Sequence, residues 1–259
     1  MTENLYGMPD EIQVRGDGPL RIITLNRPDA LNAVNDPLHT GLARLWPRLS
    51  EDRDARAAVL TGAGKAFSAG GDFGYLDEIR RDAELRARTI AHGRDIVLGM
   101  VRCRIPVVAA VNGPAVGLGC SLLALSDTVY LAESAYLADP HVQVGLVAAD
   151  GGPLTWPLHT SLLLAKEYAL TGARIPAEKA VAMGLANHVV PDPLAEATAC
   201  AKRVAELPRQ AVESTKRLLN MHLERSVLAT LDFATTAEEQ SFTTDDFRTT
   251  IARLTGSGS

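Results

Sequence analysis

The sequence has few cysteines and no long run of apolar residues. Its 259 residues include only Cys103, Cys120 and Cys200, and no two of them form a CxxC pair. An odd number of cysteines without that spacing argues against a disulfide framework and against a structural zinc site. The apolar stretches are far shorter than the roughly 20 residues that a membrane-spanning helix needs. We therefore expect reduced core thiols, no bound metal and no membrane association.

An excess of basic residues is also absent. Lys and Arg number 26 against 31 Asp and Glu, which makes the net charge -5, and no dense basic block interrupts the chain. Such a balance argues against nucleic acid as the main partner. The first ten residues lack a basic-then-apolar leader, so we expect a cytoplasmic protein. The 46% of hydrophobic residues are enough for one large globular domain.

Strand and helix patterns alternate along most of the chain. Short apolar runs bounded by turn residues predict buried strands, and apolar residues three or four positions apart predict helices. Strands are expected at residues 11–15, 20–25, 57–61, 106–111 and 128–131. Helices are expected from Asp36, as the capping residue, to about residue 50, at 76–101 and at 117–125. This alternation is typical of an α/β fold.

The pattern changes near residue 192, after which only helical periodicity remains. Helices are expected at residues 194–206, 211–224, 227–240 and 244–254. The sequence therefore predicts an α/β core at residues 1–192 and a helical C-terminal region at residues 193–259. The apolar faces of that region would need a partner surface, such as another subunit.

Several glycine-rich turns can be compared with nucleotide-binding and hydrolase motifs. The turn at residues 62–65 lacks the first glycine and the hydroxyl residue of a P-loop, and the turn at 117–119 lacks the third residue of the dinucleotide fingerprint. Residues 119–123 are one glycine short of a nucleophile elbow, and the order Ser121, His141, Asp150 is not that of α/β-hydrolases. None of these three chemistries is favoured.

Two other glycine-rich turns, at residues 68–72 and 113–119, each follow an apolar strand and lead into a helix. Turns of this kind leave backbone N–H groups unpaired, and a helix N-terminus adds its positive dipole end. Two converging donors make an oxyanion hole. Either turn taken alone is equally consistent with a tight connection in a packed α/β protein.

Four segments appear in an order that resembles the crotonase (enoyl-CoA hydratase/isomerase) superfamily: NRPDALNA at 26–33, KAFSAGGD at 65–72, PVVAAVNG at 106–113 and GLGC at 117–120. The resemblance implies a spiral of ββα units with a helical C-terminal region that assembles trimers or dimers of trimers. It implies an acyl-CoA substrate of the kind met in fatty acid metabolism, with its carbonyl oxygen held by the N–H groups of Gly71 and Leu118. Coenzyme A is then part of the substrate, and no separate cofactor is expected.

The same resemblance suggests residues that bind the substrate. Arg27 would meet the CoA phosphates, while Leu31, Ala33 and Ala69 would lie along the pantetheine and adenine. Asp72 belongs to the same turn, where it is also expected to cap the helix that follows Gly71.

Two positions depart from the hydratases of this superfamily, which use two glutamates to activate water and to protonate the α carbon. The first glutamate position holds Ser121 and the second holds His141. An imidazole can accept a proton from water near neutral pH, and Asp150, nine residues later, would fix its tautomer. This pair is similar to that of 6-oxocamphor hydrolase, a superfamily member that cleaves a carbon–carbon bond of a cyclic diketone.

Three hypotheses follow from these residues. The first is an enzyme of the enoyl-CoA hydratase/isomerase type, a lyase in which His141 and Asp150 activate water. The second is hydrolytic carbon–carbon cleavage of a β-diketone or β-ketoacyl substrate, and the third is a non-catalytic scaffold or acyl-CoA-binding relative. Ser121 either hydrogen-bonds substrate or water, or caps its helix, and His141 and Asp150 taken singly fit structural hydrogen bonding and a turn.

Overall fold

The computed structural model describes residues 4–256. Residues 1–3 of the predicted α/β core and residues 257–259 of the predicted helical C-terminal region lie outside the described residues. The strands are β1 (Ile12–Asp17), β2 (Leu20–Leu25), β3 (Ala57–Gly62), β4 (Val107–Val111), β5 (Ala115–Val116), β6 (Thr128–Ala132), β7 (Tyr136–Ala138), β8 (Ile175–Pro176) and β9 (His188–Val190). The helices are α1 (Asp36–Glu51), α2 (Phe73–Arg81), α3 (Ala83–Arg102), α4 (Leu118–Ala124), α5 (His141–Val144), α6 (Gly152–His159), α7 (Leu162–Thr171), α8 (Ala177–Ala182), α9 (Pro193–Glu206), α10 (Arg209–Ser241) and α11 (Asp245–Thr255).

The strands form two sheets. The larger sheet has the order β1-β2-β3-β4-β6-β9, antiparallel at the β1–β2 hairpin and parallel elsewhere. The smaller sheet has the order β5-β7-β8. From β4 to β7 the strands alternate between the sheets, since β4 and β6 join the larger one while β5 and β7 join the smaller one. The strands that the apolar runs predict are all present, and the α/β fold is confirmed.

The main core lies between the larger sheet and helices α1 and α3. Every residue of β3 and β4 is buried, as expected of central parallel strands that are covered on both faces. Trp46 of α1 is fully buried, and Gly99 of α3 gives it room, since a Cβ there would lie 2.9 Å from the Trp46 Cβ. The three cysteines are free, and Cys103 and Cys120 are buried.

Three predicted helix features are wrong. The helix predicted at residues 76–101 is two helices, because Asp82 interrupts the first and caps the second by accepting hydrogen bonds from the N–H groups of Glu84 and Leu85. The helices predicted at 211–224 and 227–240 are the single helix α10, since no glycine or proline separates them. Helix α1 is capped by Asn35 rather than Asp36, since the Asn35 side chain accepts the Leu38 N–H.

The helical C-terminal region packs on the rest of the chain. Helix α9 covers the larger sheet with Ala197, Ala201 and Ala205. Helix α10 is held by buried polar contacts: the Lys216 ammonium lies 2.6 Å from an Asp127 carboxylate oxygen, and the Asn220 amide donates to the Val101 carbonyl. These contacts hold α10 against the rest of the chain, and the C-terminal end of α10 lies at the cavity described below.

One side of the helical C-terminal region stays apolar and exposed. Five such side chains lie on α10, and they are Leu218, Leu219, Met221, Leu228 and Phe233. Large exposed apolar patches are typical of interaction surfaces. This surface agrees with the predicted self-association, which stays a prediction. No helix within residues 4–256 is long and apolar enough to cross a membrane.

Candidate active site

A cavity of about 380 Å³ lies where the two glycine-rich turns meet helices from both regions of the chain. Its lining comes from the turns at residues 69–71 and 116–118, from α1, α2 and α3 on one side, and from α5, α10 and α11 on the other. The N-terminal α/β elements and the C-terminal helices of one chain thus enclose the same space.

The two predicted turns are in contact. The Val116 N–H donates to the Ser68 carbonyl oxygen, and a Cβ built on Gly70 would lie 3.0 Å from the Val116 carbonyl oxygen. Gly70 has a φ of 86° and Gly117 a φ of 53°, the left-handed region that favours glycine. The glycines therefore allow two backbone segments to approach more closely than side chains would permit.

Two N–H groups of these turns are unused. Val34 and Gly71 form a parallel β-bridge, in which the Val34 N–H donates to the Gly70 carbonyl oxygen and the Asp72 N–H donates to the Val34 carbonyl oxygen. No hydrogen bond within residues 4–256 engages the Gly71 N–H itself. Leu118 is the first residue of α4, and its N–H likewise has no acceptor among the described residues. Both residues line the cavity, so the two donors are available to a ligand.

His141 begins helix α5 directly after Pro140, and its ring lies beside the second turn. A Cβ added to Gly117 would lie 3.6 Å from Cε1 and 4.0 Å from Nε2 of that ring. The side chain is only 13% exposed, and it lines the cavity. The predicted catalytic histidine and the second glycine-rich turn therefore occupy one site.

Two carboxylates flank the His141 ring. Asp139, two residues earlier, hydrogen-bonds to Nδ1, while an Asp150 carboxylate oxygen lies 3.8 Å from Nε2. The sequence interpretation assigned the orientation of the ring to Asp150. The residue that orients the ring is Asp139 instead, because it hydrogen-bonds to Nδ1, while Asp150 faces the other nitrogen at a distance too long for a direct hydrogen bond.

These carboxylates decide the charge of the ring. Burial by itself lowers the pKa of His141, but the negative charges of Asp139 and Asp150 outweigh it and raise that pKa to about 10. This shift favours the imidazolium form of the ring at neutral pH. Burial also raises the pKa of Asp150, and the charge of Asp139 adds to this rise, while His141 and the hydrogen bond from Ser121 oppose it.

Ser121 lies beneath Asp150 rather than at the cavity surface. Its hydroxyl is 2.8 Å from an Asp150 carboxylate oxygen and 3.2 Å from the Gly117 carbonyl oxygen, and the residue is 1% exposed. It caps no helix, since the capping residue of α4 is Gly117. Ser121 thus positions Asp150. Gly151 makes room for this contact, since a Cβ there would lie 2.5 Å from the Ser121 Cβ.

The C-terminal helix α10 adds a further carboxyl group, Glu238, which lines the cavity. Burial raises the pKa of Glu238 to about 8, and the charge of Asp150 contributes to the rise. At neutral pH this group is mostly a carboxylic acid. We call His141, Asp139, Asp150 and Glu238 the acid–base cluster.

Sequence reasoning missed two of these four residues. Asp139 could have been found from the Asp-Pro-His sequence, in which an acid lies close to a candidate base. Glu238 gives no local signal, because it is one of many acids on a helix predicted only from its periodicity.

Comparison with known proteins agrees with this architecture. A family model described as enoyl-CoA hydratase/isomerase matches residues 17–255. The chain belongs to that family. A crystal structure of an enoyl-CoA hydratase/isomerase from Mycobacterium paratuberculosis is 76% identical in sequence, with a TM-score of 0.96 over 96% of this chain and 100% of its own. A probable enoyl-CoA hydratase from Mycobacterium tuberculosis is 37% identical over 211 residues, 80% of each chain.

A β-diketone hydrolase from the cyanobacterium Anabaena also has this fold. It is 23% identical, with a TM-score of 0.84 over 90% of this chain and 94% of its own. At this identity the likeness concerns the fold alone. The predicted crotonase superfamily and α/β fold class of this enoyl-CoA hydratase/isomerase family member are confirmed.

Two of the residues predicted to bind CoA in this family member lie at the cavity or at the surface, and the other three are linked by the contacts of Arg27. Ala69 lines the cavity, and Leu31 is 47% exposed at the surface. Arg27 forms an ion pair with Asp72 at 3.1 Å and donates to the Ala33 carbonyl oxygen. Asp72 also caps α2, as predicted, by accepting the Gly74 N–H at 3.0 Å. Roles for these residues toward CoA remain predictions.

Metal binding was not expected, and residues 4–256 hold no group of three or more His, Cys, Asp or Glu side chains that could bind a metal ion. The cavity does receive one exposed cationic side chain, Arg253 of α11.

Proposed function

We propose that this chain is an acyl-CoA-processing enzyme of the enoyl-CoA hydratase/isomerase type, in which the pair formed by His141 and Asp150 activates water. One observation carries the proposal: a histidine held between two carboxylates lines the same cavity as two unused N–H donors. Oxyanion stabilisation and proton transfer are the two requirements of chemistry next to a thioester carbonyl.

The carbonyl oxygen of the thioester would accept hydrogen bonds from Gly71 and Leu118. Adding water to the β carbon of an enoyl thioester creates an enolate, so negative charge grows on that oxygen during the reaction. Preorganised N–H donors stabilise this charge, and losing one typically costs about 3 kcal/mol. The imidazolium of His141 adds a positive charge beside the second turn.

Water would be activated beside Nε2 of His141 and the Asp150 carboxylate, which lie 3.8 Å apart, so that one water molecule at the side of this gap can hydrogen-bond to both. A protonated ring cannot accept a proton, so the acceptor in our proposal is the Asp150 carboxylate, whose raised pKa favours proton uptake. Nε2–H of the imidazolium orients the water. Asp139 keeps the ring protonated through Nδ1, and Ser121 holds Asp150 toward the gap.

The second proton of the reaction would come from Glu238. The enolate needs a proton at its α carbon, and a carboxyl group with a pKa of about 8 is still protonated at neutral pH. For hydration the balance closes: the water oxygen bonds to the β carbon, Asp150 takes one water proton, and Glu238 protonates the α carbon. Proton return from Asp150 to Glu238 restores the site.

The test is a direct assay with crotonyl-CoA, in which 3-hydroxybutyryl-CoA is followed by chromatography. Exchange of the α protons of butyryl-CoA in D₂O, followed by NMR, reports enolate formation without net hydration. We expect both signals. If neither reaction occurs although butyryl-CoA binds in calorimetry, the proposed chemistry is wrong and the site is a binding site.

Hydrolytic carbon–carbon cleavage is the second candidate, because Ser121 and His141 stand at the two positions where hydratases of this superfamily use glutamates. Water would attack one carbonyl carbon of a β-diketone or β-ketoacyl substrate. Asp150 takes one proton of the water, the bond to the α carbon breaks with its electron pair passing to the enolate, and Glu238 protonates that carbon. Cyclohexane-1,3-dione and acetoacetyl-CoA separate the candidates, since only this reaction turns the first into 5-oxohexanoate and the second into acetate and acetyl-CoA.

A further inference from the structure

A second polar group lines the cavity, and it consists of His39 on α1, Tyr75 on α2 and Thr89 on α3. We call it the three-helix polar group. All three residues are buried, and His39 is 8% exposed. No hydrogen bond or ion pair among the described residues joins this group to the acid–base cluster. The cavity therefore has two polar sites of different composition.

The two hydroxyl groups of the three-helix polar group already have partners. The Tyr75 hydroxyl lies 2.8 Å from the Thr89 hydroxyl and 3.3 Å from an Asp36 carboxylate oxygen. The Thr89 hydroxyl in turn donates to the Leu85 carbonyl oxygen at 2.9 Å. Both hydroxyls are thus satisfied within the protein.

His39 differs, since neither of its ring nitrogens has a hydrogen-bond partner among residues 4–256, and Nδ1 is fully buried. The nearest rings are those of His92 and Tyr75, with centroids 6.1 and 6.4 Å away. Buried polar groups in native proteins are nearly always hydrogen-bonded, because an unpaired one retains its desolvation cost. Nδ1 has almost no accessible surface, whereas the unpaired Nε2 is not fully buried. Since His39 lines the cavity, Nε2 is the atom at which a ligand would supply the partner.

The charge of the group restricts that ligand. Burial lowers the pKa of His39 to about 4, with the neighbouring His92 contributing, so the ring is neutral at physiological pH. A neutral imidazole offers one donor and one acceptor. Asp36, which contacts Tyr75, is already paired with Arg88 at 2.9 Å. A carboxylate would meet no unpaired positive charge in this group, whereas a neutral oxygen would meet a donor.

The remaining contacts in this part of the cavity are apolar. Tyr75 packs in one cluster with Ile79, Leu146 and Phe242, and all of these residues line the cavity. A hydrocarbon chain or ring can contact this wall, while an oxygen attached to it can reach an imidazole. The wall and the imidazole together fit an acyl group that is mainly apolar and carries one polar atom.

We propose that the acyl part of the substrate carries a neutral oxygen, as a hydroxyl or ketone, that hydrogen-bonds to His39. The proposal rests on the proposed function only for the thioester to which this acyl group is attached. It makes His39 a specificity residue for an oxygenated acyl group rather than for a plain alkyl chain.

Calorimetric dissociation constants test the proposal with matched esters: hexanoyl-CoA and its 4-, 5- and 6-hydroxy counterparts. In the unmodified protein the best hydroxylated ester should bind about five- to tenfold more tightly than hexanoyl-CoA, the gain of one buried hydrogen bond. In His39→Phe this ratio should fall to about one. His92→Phe is the matched control, because His92 contacts the same ring without lining the cavity, and it should keep the preference.

A second ligand pair removes the dependence on CoA. Cyclohexanone and methylenecyclohexane have nearly the same shape but differ in their hydrogen-bonding oxygen, and NMR titration compares their binding to the same variants. Circular dichroism checks that each variant is folded, and His39→Leu replaces His39→Phe if the latter unfolds. We expect cyclohexanone to bind more tightly in the unmodified protein and to lose this advantage in the His39 variant.

Each outcome separates this proposal from the proposed function. If the esters bind but no hydroxyl group improves affinity, or if the preference survives in the His39 variant, the His39 proposal is overturned and the acyl-CoA proposal stands. If no ester binds while the ketone preference depends on His39, the acyl-CoA proposal fails and the His39 site stands. If neither ligand pair shows a preference or binding, both fail.

Discussion

Two histidines line one cavity, and their surroundings shift their pKa values in opposite directions. His141 lies between two carboxylates, which raise its pKa to about 10. His39 lies among helices, where the charge of Asp36, which is paired with Arg88, does not offset burial, and burial lowers the pKa of His39 to about 4. Burial opposes the charged form in both cases, so the nearby charges make the difference. One histidine is thereby a cation suited to chemistry, and the other is neutral and suited to recognition.

The largest expected effect belongs to the charged histidine. His141→Ala removes both the imidazolium and the group that orients water, so we expect kcat to fall by about 10² to 10⁴. Initial rates with the best substrate found among the esters and diketones measure this fall. His222→Ala, an exposed histidine on α10, is the control and should leave the rate unchanged. Full activity in His141→Ala would remove His141 from the mechanism.

The charge assigned to His141 can be tested through pH. In our proposal the rate should first decline near pH 8, where Glu238 loses the proton that it donates. If the reaction also needs the imidazolium, a second decline should follow as the His141 ring loses its proton near pH 10. Asp139→Asn removes one of the charges that raise the pKa of His141, so this decline should move to lower pH by about one to two units. A rate that rises through the same range would instead identify neutral His141 as the base.

The control for this shift is Asp77→Asn. Asp77 is another buried aspartate, but it pairs with Arg80 on α2 and does not line the cavity. Its substitution should leave the pH profile in place.

Glu238→Gln tests the third carboxyl group of the acid–base cluster through stability. The pKa of Glu238 is raised from 4.5 to about 8, so the folded state holds this proton more tightly than the unfolded chain. The resulting stability is complete below pH 4.5 and is lost as the pH rises to about 8. When the pH rises from 5 to 9, the free energy of unfolding of Glu238→Gln should therefore gain about 1 to 3 kcal/mol relative to that of the unmodified protein.

Urea unfolding at the two pH values measures this difference. Glu239→Gln changes the neighbouring residue of the same helix, which does not line the cavity, and should give no such gain. An equal gain in both variants would mean that the charge of α10, rather than the cavity, causes the effect.

The neutral histidine should give the smallest effect, with the opposite dependence on pH. Because the pKa of His39 is lowered from 6.5 to about 4, its contribution to stability is present above pH 6.5 and is lost as the pH falls through 4. When the pH falls from 7 to 5, the free energy of unfolding should decrease by about 1 to 2 kcal/mol less in His39→Leu than in the unmodified protein. Urea unfolding with His222→Leu as control decides whether burial of His39 causes this acid sensitivity.

Sequence patterns predicted both turns and the strands β1 to β4 and β6, since their signals are local, but they missed β5, β7, β8 and β9, which have only two or three residues each. Gly70 and Gly117 have backbone angles that a side chain disfavours, so a glycine at such a turn is visible in the sequence. The helix boundaries at Asp82 and Asn35 were missed because several polar residues near a helix end can cap it, and only the backbone geometry selects one.

The chain order of residues was enough to identify the superfamily, the two glycine-rich turns and His141 as a candidate for chemistry. It could not give the protonation of the site, because a pKa depends on the distance and burial of every neighbouring charge. Those neighbours come from the strand-to-helix junction at Asp139, the loop at Asp150 and the C-terminal helix at Glu238. Folding alone brings them together around one imidazole of the cavity, and no hydrogen bond or ion pair among the described residues joins His39 to them.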